Sequence, residues 1–262
     1  MRVYEEDIFL FMVETSASEP PLSDDGSASV RSDATTVAWW LAVALAGGGA
    51  AGLLIGGIGG RLAMFLLRVS TGEPARGVIS DDGFVIGQFT FGDSAGLLVA
   101  TTGLGGLGGL LYLALRTGLP ERIRVPIWTL AGAAIGGEAL VHSDGVDFQL
   151  LKPQALAIAL FIAIPALGAA ASGFLIERWL RVPPWSRSPW WSARLGVMAL
   201  ATTLAVPFAG LLGLVVLAAR RSPALAVVAL RTLRVLVPIL LIVWIVAAAL
   251  GLYEDVSAIL SP

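Results

Sequence analysis

Two ionisable side chains, Glu138 and His142, lie four positions apart at the end of an apolar stretch. This spacing places both on one helical face if the helix continues that far. Arg231 and Arg234 are three apart and share a face in the same way. Carboxylate and imidazole groups can bind a cation or move a proton near neutral pH, and guanidinium groups hold small anions. These residues are the first candidates for an ion- or solute-binding site.

The elements that must position these residues are membrane helices. The 262-residue chain is 56% hydrophobic and 14% charged, which is too little charge to cover a soluble surface. It has no cysteine and one histidine, so disulfides and thiolate or multi-histidine metal sites are excluded, and we expect no cofactor. Uncharged stretches predict an all-α integral membrane bundle of six spans. The spans are 37–60, 94–115, 125–141, 153–176, 195–219 and 235–253.

Alternation of six spans predicts which loops share a side of the bilayer. The N-terminus, loop 2 (116–124), loop 4 (177–194) and the C-terminus fall on the first side, and loops 1, 3 and 5 on the second. The second side then collects most of the ionisable candidates, namely Arg61, Arg68, Asp81, Asp82, Asp93, Glu138, His142, Asp144, Asp147, Arg231 and Arg234. Charged groups at membrane depth usually face a partner or a cavity. Two interpretations stay open, a polar mouth for an ion or small anionic solute, and structural ion pairs with snorkelling arginines. His142 alone is either a proton-transfer group or a loop residue.

Glycines repeat every four positions in the first span, at Gly48, Gly52, Gly56 and Gly60. A face cleared of side chains lets a neighbouring helix approach backbone to backbone. Pairs at the same spacing recur in the second span (Gly105 and Gly109) and the third (Gly132 and Gly136). Three glycine-rich spans in succession favour a glycine zipper within one chain. Assembly of several copies is the alternative.

The segments outside the spans have their own composition. Residues 1–36 carry eight acids against two arginines, which predicts a mostly disordered tail. In loop 1, an Asp-Gly turn between β-prone runs at 78–91 predicts a small extramembrane β-hairpin. The first span can extend to Leu67, the sixth can begin at Pro223, and 254–262 is a short C-terminal tail.

Loop 4 combines four tryptophans with four arginines, which is typical of a membrane interface. We expect this loop to anchor the bundle or to bind anionic lipid headgroups. The same bias predicts a cytoplasmic N-terminus. Sixteen arginines against one lysine indicate a bacterial origin, and hence a bacterial plasma membrane.

Catalytic motifs are incomplete. Ser172-Gly173 in the fourth span resembles the nucleophile turn of rhomboid intramembrane proteases. Position 170, however, is alanine, and the sixth span has no histidine to act as base. We therefore interpret Ser172 as a small packing residue. No Walker loop, HExxH motif or dinucleotide fingerprint occurs.

The sequence thus favours a small transporter- or channel-like protein whose polar mouth is built from Glu138, His142, Arg61 and Arg231. The alternative is a non-catalytic membrane scaffold or accessory subunit whose charges are structural pairs. Expected partners are the bilayer and either a second copy or a membrane subunit, with no nucleic acid.

Overall fold

The computed structural model describes residues 26–72, 91–145, 148, 150–181 and 223–261. Within these ranges the regular structure is helical, and no strand occurs. The elements are α1 (Gly26–Ala51), a π-helical segment π1 (Gly52–Gly59), α2 (Gly60–Thr71), α3 (Phe91–Arg116), α4 (Glu121–Ala131), a second π-helical segment π2 (Gly132–Gly136), α5 (Gln154–Leu180) and α6 (Pro223–Leu260).

The chain forms two compact units. The first comprises Met1–Ala42 and Pro184–Val237, and the second comprises Val43–Pro183 and Pro238–Pro262. In the first unit the described parts are the beginnings of α1 and α6. All contacts discussed below lie within the second unit.

Four helices in the described ranges are long and apolar enough to cross a bilayer. They are Trp39–Thr71, Phe91–Arg116, Gln154–Leu180 and Leu236–Leu260. Of the six predicted spans, the fifth (195–219) lies outside the described residues, as does the predicted hairpin apart from Phe91, which opens α3. The third is a helix but is not among the four. Its uncharged stretch between Arg124 and Glu138 has 13 residues, which make about 20 Å of helix against a hydrocarbon core of about 30 Å.

The first and last helices are longer than predicted. Helical structure runs without interruption from Gly26 through α1, π1 and α2 to Thr71. It ends where Gly72 adopts a φ of 79°, a conformation that favours glycine, and where the Gly72 amide donates to the Arg68 carbonyl at 3.0 Å. The last helix begins at Pro223, the earlier of the two starts that the sequence allows. It includes most of the predicted C-terminal tail, because it ends only at Leu260.

An apolar core lies where α2 and π2 end and α5 begins, which we call the second end of the bundle. It is built from Leu67, Val141, Phe148, Leu151, Ala157 and Ile158. The rings of Phe148 and Phe161 lie 5.3 Å apart in this core. A polar contact closes the same end, since the Thr71 hydroxyl accepts from the Lys152 amide at 2.9 Å.

The C-terminal turns of α6 also belong to the second end. Leu252, Val256 and Ile259 pack against the apolar core, and the Asp255 carboxylate accepts a hydrogen bond of 3.0 Å from the Ser143 amide. The prediction that the C-terminus shares a side with loops 2 and 4 is therefore wrong. That prediction treated each apolar segment as one crossing of the membrane. A single segment that is counted wrongly reverses the predicted side of every later loop and of the C-terminus.

The opposite, first end is where α3 and α5 end and α4 begins. Between the two ends, the spans expose large apolar side chains, including Leu62 on α2, Val99 and Leu104 on α3, Phe174 on α5 and Leu240 on α6. Exposed apolar surface on this scale fits contact with lipid acyl chains. The four helices and this surface fit a membrane protein.

Candidate functional site

Glu138 is the last residue of the short helical turn (137–138) that directly follows π2, and it is half-buried. Its Cγ lies 3.5 Å from the point where a Cβ on Gly251 of α6 would stand. The Glu138 side chain thus packs against the last helix at an ordinary van der Waals distance.

His142 and Asp144 lie in the turn after that helix, and both side chains are exposed. Glu138 and His142 do not share a helical face, because the helical structure ends at Glu138. The turn is held by the Gly145 amide, which donates to the His142 carbonyl at 3.1 Å. It is also held by Asp255 of α6, which accepts from the Ser143 amide. The sequence analysis did not select Asp255, although an acid directly after the predicted span 235–253 is a usable signal.

The remaining members of the predicted cluster are spread along the chain. Arg61 is the second residue of α2 and is half-buried. Arg231 and Arg234 lie on α6 within the first unit, and their side chains are outside the description, as is Asp147. Among the described members, Arg61, Glu138, His142 and Asp144 all belong to the second unit.

The glycines of the first span lie against α3. A Cβ added to Gly48 would overlap the carbonyl of Gly105, and one added to Gly52 would overlap the carbonyl of Thr101. Gly56 faces the Thr101 side chain, whereas a Cβ on Gly60 would meet no atom within 4 Å. The backbones of α1, π1 and α3 thus meet at their closest around Gly48 and Gly52.

A second close approach joins π2 to α5. A Cβ on Gly132 would lie 2.6 Å from the Pro165 carbonyl oxygen, and one on Gly136 would overlap the Pro165 ring. The proline inside α5 and the wide turns of π2 are therefore in direct contact. Interior prolines and π-turns both depart from the regular helical ladder, so this contact fixes two irregular segments against each other.

The most extensive polar network among the described residues lies at the first end, and we call it the Glu177 cluster. It comprises Tyr112 and Arg116 on α3, Arg124 on α4 and Glu177 on α5. Arg116 donates from Nε to Oε1 of Glu177 at 3.1 Å and from its second terminal nitrogen to Oε2 at 3.2 Å. This two-point contact matches the planar guanidinium to the planar carboxylate, which is the strongest geometry for such a pair.

Two further groups complete the surroundings of Glu177. The Tyr112 hydroxyl donates to Oε1 at 2.9 Å, and the Arg124 guanidinium lies 3.9 Å from the same oxygen. The Arg124 Nε is occupied by the Leu119 carbonyl at 2.7 Å. Side-chain exposure is only 11% for Arg116 and 13% for Glu177. Burial of this kind requires the compensation that these partners provide.

Aromatic side chains pack beside the Glu177 cluster. The Tyr112 and Trp128 rings lie 5.7 Å apart, and Trp128 donates from its indole nitrogen to the Ser172 hydroxyl at 3.1 Å. Ser172 is buried and itself donates to the Ala169 carbonyl at 2.9 Å. Its hydroxyl thus holds helices together, in agreement with a packing role.

The sequence analysis missed the Glu177 cluster although a signal was present. Glu177 is the single acid in loop 4, and Glu121 the single acid in loop 2, each among several arginines. An isolated acid among arginines at a helix end is a candidate for a buried pair. Chemically, both oxygens of Glu177 accept hydrogen bonds from groups of the protein, which is the pattern of a structural ion pair.

Comparison with known proteins adds no functional assignment. No protein-family model matches the chain, and neither a curated protein nor a solved structure matches it.

Proposed function

We propose that this chain is a non-catalytic membrane scaffold or accessory subunit whose charged residues act as structural ion pairs. The observation that carries the proposal is the Glu177 cluster. Its charged side chains are largely buried, and they bind one another across three helices. A carboxylate that transports or transfers protons must exchange partners, whereas Glu177 has three donors around it.

The glycine contacts support the same interpretation. We propose that Gly48 and Gly52, together with Gly105 and Gly109, form a glycine zipper inside one chain. Gly56 continues this face toward Thr101, and Gly60 extends it by sequence spacing alone. Packing of backbone against backbone favours a rigid bundle over one with moving helices. A rigid bundle suits a protein that positions another membrane subunit or a second copy of itself.

A transporter- or channel-like protein is the second candidate. It is favoured by Glu138, a half-buried carboxyl group that lies against Gly251 of α6. In this version Glu138, His142 and Arg61 line a polar mouth at the second end, and Asp144 attracts cations to it. The exposed positions of His142 and Asp144 suit such a rim.

Flux measurements separate the two candidates. Purified protein in lipid vesicles is assayed for the passage of protons, sodium, chloride and phosphate, with protein-free vesicles as the baseline. The scaffold proposal predicts baseline flux for every solute. Flux that disappears in Glu138→Gln and persists in Glu254→Gln, an exposed acid of α6, would replace it with the transport proposal.

We also propose the location and orientation given by the sequence, a bacterial plasma membrane with the N-terminus in the cytoplasm. The support is that loops 2 and 4 are rich in arginine and that loop 4 also contains four tryptophans. The first end, with the Glu177 cluster, then faces the cytoplasmic leaflet.

A further inference from the structure

One face of the last helix, α6, points away from the second unit and is exposed. Its side chains stand alternately three and four positions apart over 22 residues. The apolar and aromatic ones among them are 50–71% exposed, and the serine is exposed as well. We call this set the heptad face, and its members are Ile239, Val243, Val246, Leu250, Tyr253, Ser257 and Leu260.

The opposite face of α6 repeats at an interval of seven residues and is held within the chain. Leu241 and Ala248 are buried. Asp255, seven positions after Ala248, accepts the hydrogen bond of 3.0 Å from the Ser143 amide. Leu252 packs against the apolar core of the second end. Contacts within the chain therefore determine which side of α6 is inward, and the heptad face is the side that they leave outward.

The spacing of the heptad face is typical of a surface that pairs with another helix. Alternate steps of three and four residues have a period of 3.5, which is slightly shorter than the 3.6 residues of a helical turn. Such residues stay in contact along their length with a second helix that crosses at about 20°. Contact with fluid acyl chains requires no such period. Ile239, Val243 and Val246 are β-branched, so they lose little side-chain freedom when they pack.

We propose that the heptad face pairs with the same face of a second copy of this chain, with the two α6 helices parallel. Copies of one chain share one orientation in the bilayer, so a two-fold axis along the membrane normal places the same face on both sides of the contact. Ser257 then lies opposite Ser257, and small polar residues of this kind are common where membrane helices meet.

The size of the heptad face fits a dimer. Its exposed side chains amount to roughly 700 Å² on each copy, and a stable interface buries about 800 Å² on each partner. Pairing goes beyond the structural role proposed above and does not rest on it, because a dimeric transporter would use the same face. The flux measurement therefore decides the function independently of the experiments below.

Disulfide formation between single cysteines tests the pairing, because the chain has no cysteine of its own. Full-length Ser257→Cys and Ala258→Cys are reconstituted separately in vesicles with a large excess of lipid and treated with a mild oxidant. Both positions are exposed, both changes are small, and position 258 lies about 100° further round the helix. Paired helices with axes about 8–10 Å apart bring facing Cα atoms to about 5 Å, which a disulfide can span.

The expected result is a covalent dimer that is at least about fivefold more abundant in Ser257→Cys than in Ala258→Cys, since only the former places its sulfur in the contact. Equal dimer fractions in the two variants, or no dimer in either, would overturn the proposal.

Energy transfer between labelled copies measures the same pairing without an oxidant. Donor and acceptor dyes are attached to the cysteine of Ala258→Cys, away from the heptad face, and the protein is diluted with lipid. Val246→Ala combined with Leu250→Ala is expected to weaken self-association about tenfold, because packing at the centre of the pair is lost. Trp244→Ala removes a larger side chain that is 54% exposed beside the heptad face, and less than about a twofold change is expected.

Two outcomes of this measurement would contradict the proposal. Similar weakening in both variants would show that apolar contact of any kind drives the association. No energy transfer in protein with an unchanged heptad face would show that lipid or another segment of the same chain covers this face.

Discussion

The hydroxyl of Tyr112 donates a hydrogen bond of 2.9 Å to Glu177, a residue 65 positions further along the chain. The same carboxylate holds Arg116, one turn after Tyr112 on α3. One acid thus joins the ends of α3 and α5, and Arg124 adds α4 to the contact. At the second end the same unit is closed by an apolar core and by Asp255 of α6.

Replacing the central acid should destabilise the bundle. Glu177→Gln leaves Arg116 and Arg124 buried without a compensating charge, and we expect the free energy of unfolding to fall by about 3 kcal/mol. Chemical denaturation in detergent measures it. The matched control is Glu121→Gln, which breaks an exposed pair in which Glu121 is 61% exposed, and should cost less than about 1 kcal/mol. Similar losses of stability in the two variants would show that the burial of Glu177 does not determine its contribution to the free energy of unfolding.

The glycine contact gives a second prediction. A methyl group on Gly52 would overlap the Thr101 carbonyl on α3, so Gly52→Ala should lower the free energy of unfolding by about 1–3 kcal/mol. Gly60→Ala has open space and should leave stability unchanged or raise it by up to about 1 kcal/mol. Thermal unfolding of both purified variants is the measurement. A destabilised Gly60→Ala beside an unchanged Gly52→Ala would contradict the described packing.

These two sites differ in how far the sequence could predict them. The glycine spacing in the first span is local, and in the structure the stretch around Gly48 and Gly52 lies against α3 whereas Gly60 meets no atom within 4 Å. The Glu177 cluster is assembled from residues on three helices, and no spacing rule connects Tyr112 to Glu177. The helical class could be predicted because length and apolarity are properties of single segments.

Topology gives a third prediction. Because Asp255 and the last turns of α6 lie with the 142–145 turn, a reporter fused after Pro262 should fall on the same side of the membrane as one inserted at Asp144. A reporter at Gly118, between α3 and α4, should fall on the other side. Paired cytoplasmic and periplasmic reporters check this in cells. Agreement between Pro262 and Gly118, with Asp144 opposite, would restore the alternation that the sequence suggested.

The side of the C-terminus could not be obtained from the sequence for a simple reason. The predicted side of the C-terminus depends on whether the number of membrane crossings is odd or even. One error in deciding which apolar segment crosses the bilayer therefore reverses it. In the structure α3, α4 with π2, and α5 each run from one end to the other as the count assumes, so the difference arises after Leu180. Contacts such as Ser143 to Asp255 determine the side independently of that count.

The contact between Asp255 and the turn gives a fourth prediction. Asp255→Asn weakens the acceptor for the Ser143 amide, and we expect a loss of about 1 kcal/mol in stability. Hydrogen exchange at the Ser143 amide should accelerate in the same variant. Glu254→Gln changes the exposed neighbouring acid and should alter neither quantity. Unchanged exchange at Ser143 in Asp255→Asn would exclude this hydrogen bond in solution.

The central claim, that the charges of this bundle bind one another for structural reasons, is tested most directly by a double-mutant cycle on Arg116 and Glu177. The free energies of unfolding of the parent, Arg116→Gln, Glu177→Gln and the double variant are measured in the same detergent. We predict a coupling energy of about 2 kcal/mol or more, with the double variant at least as stable as Glu177→Gln, because each single change leaves the other charge uncompensated. Additive losses, with a coupling energy near zero, would contradict the account.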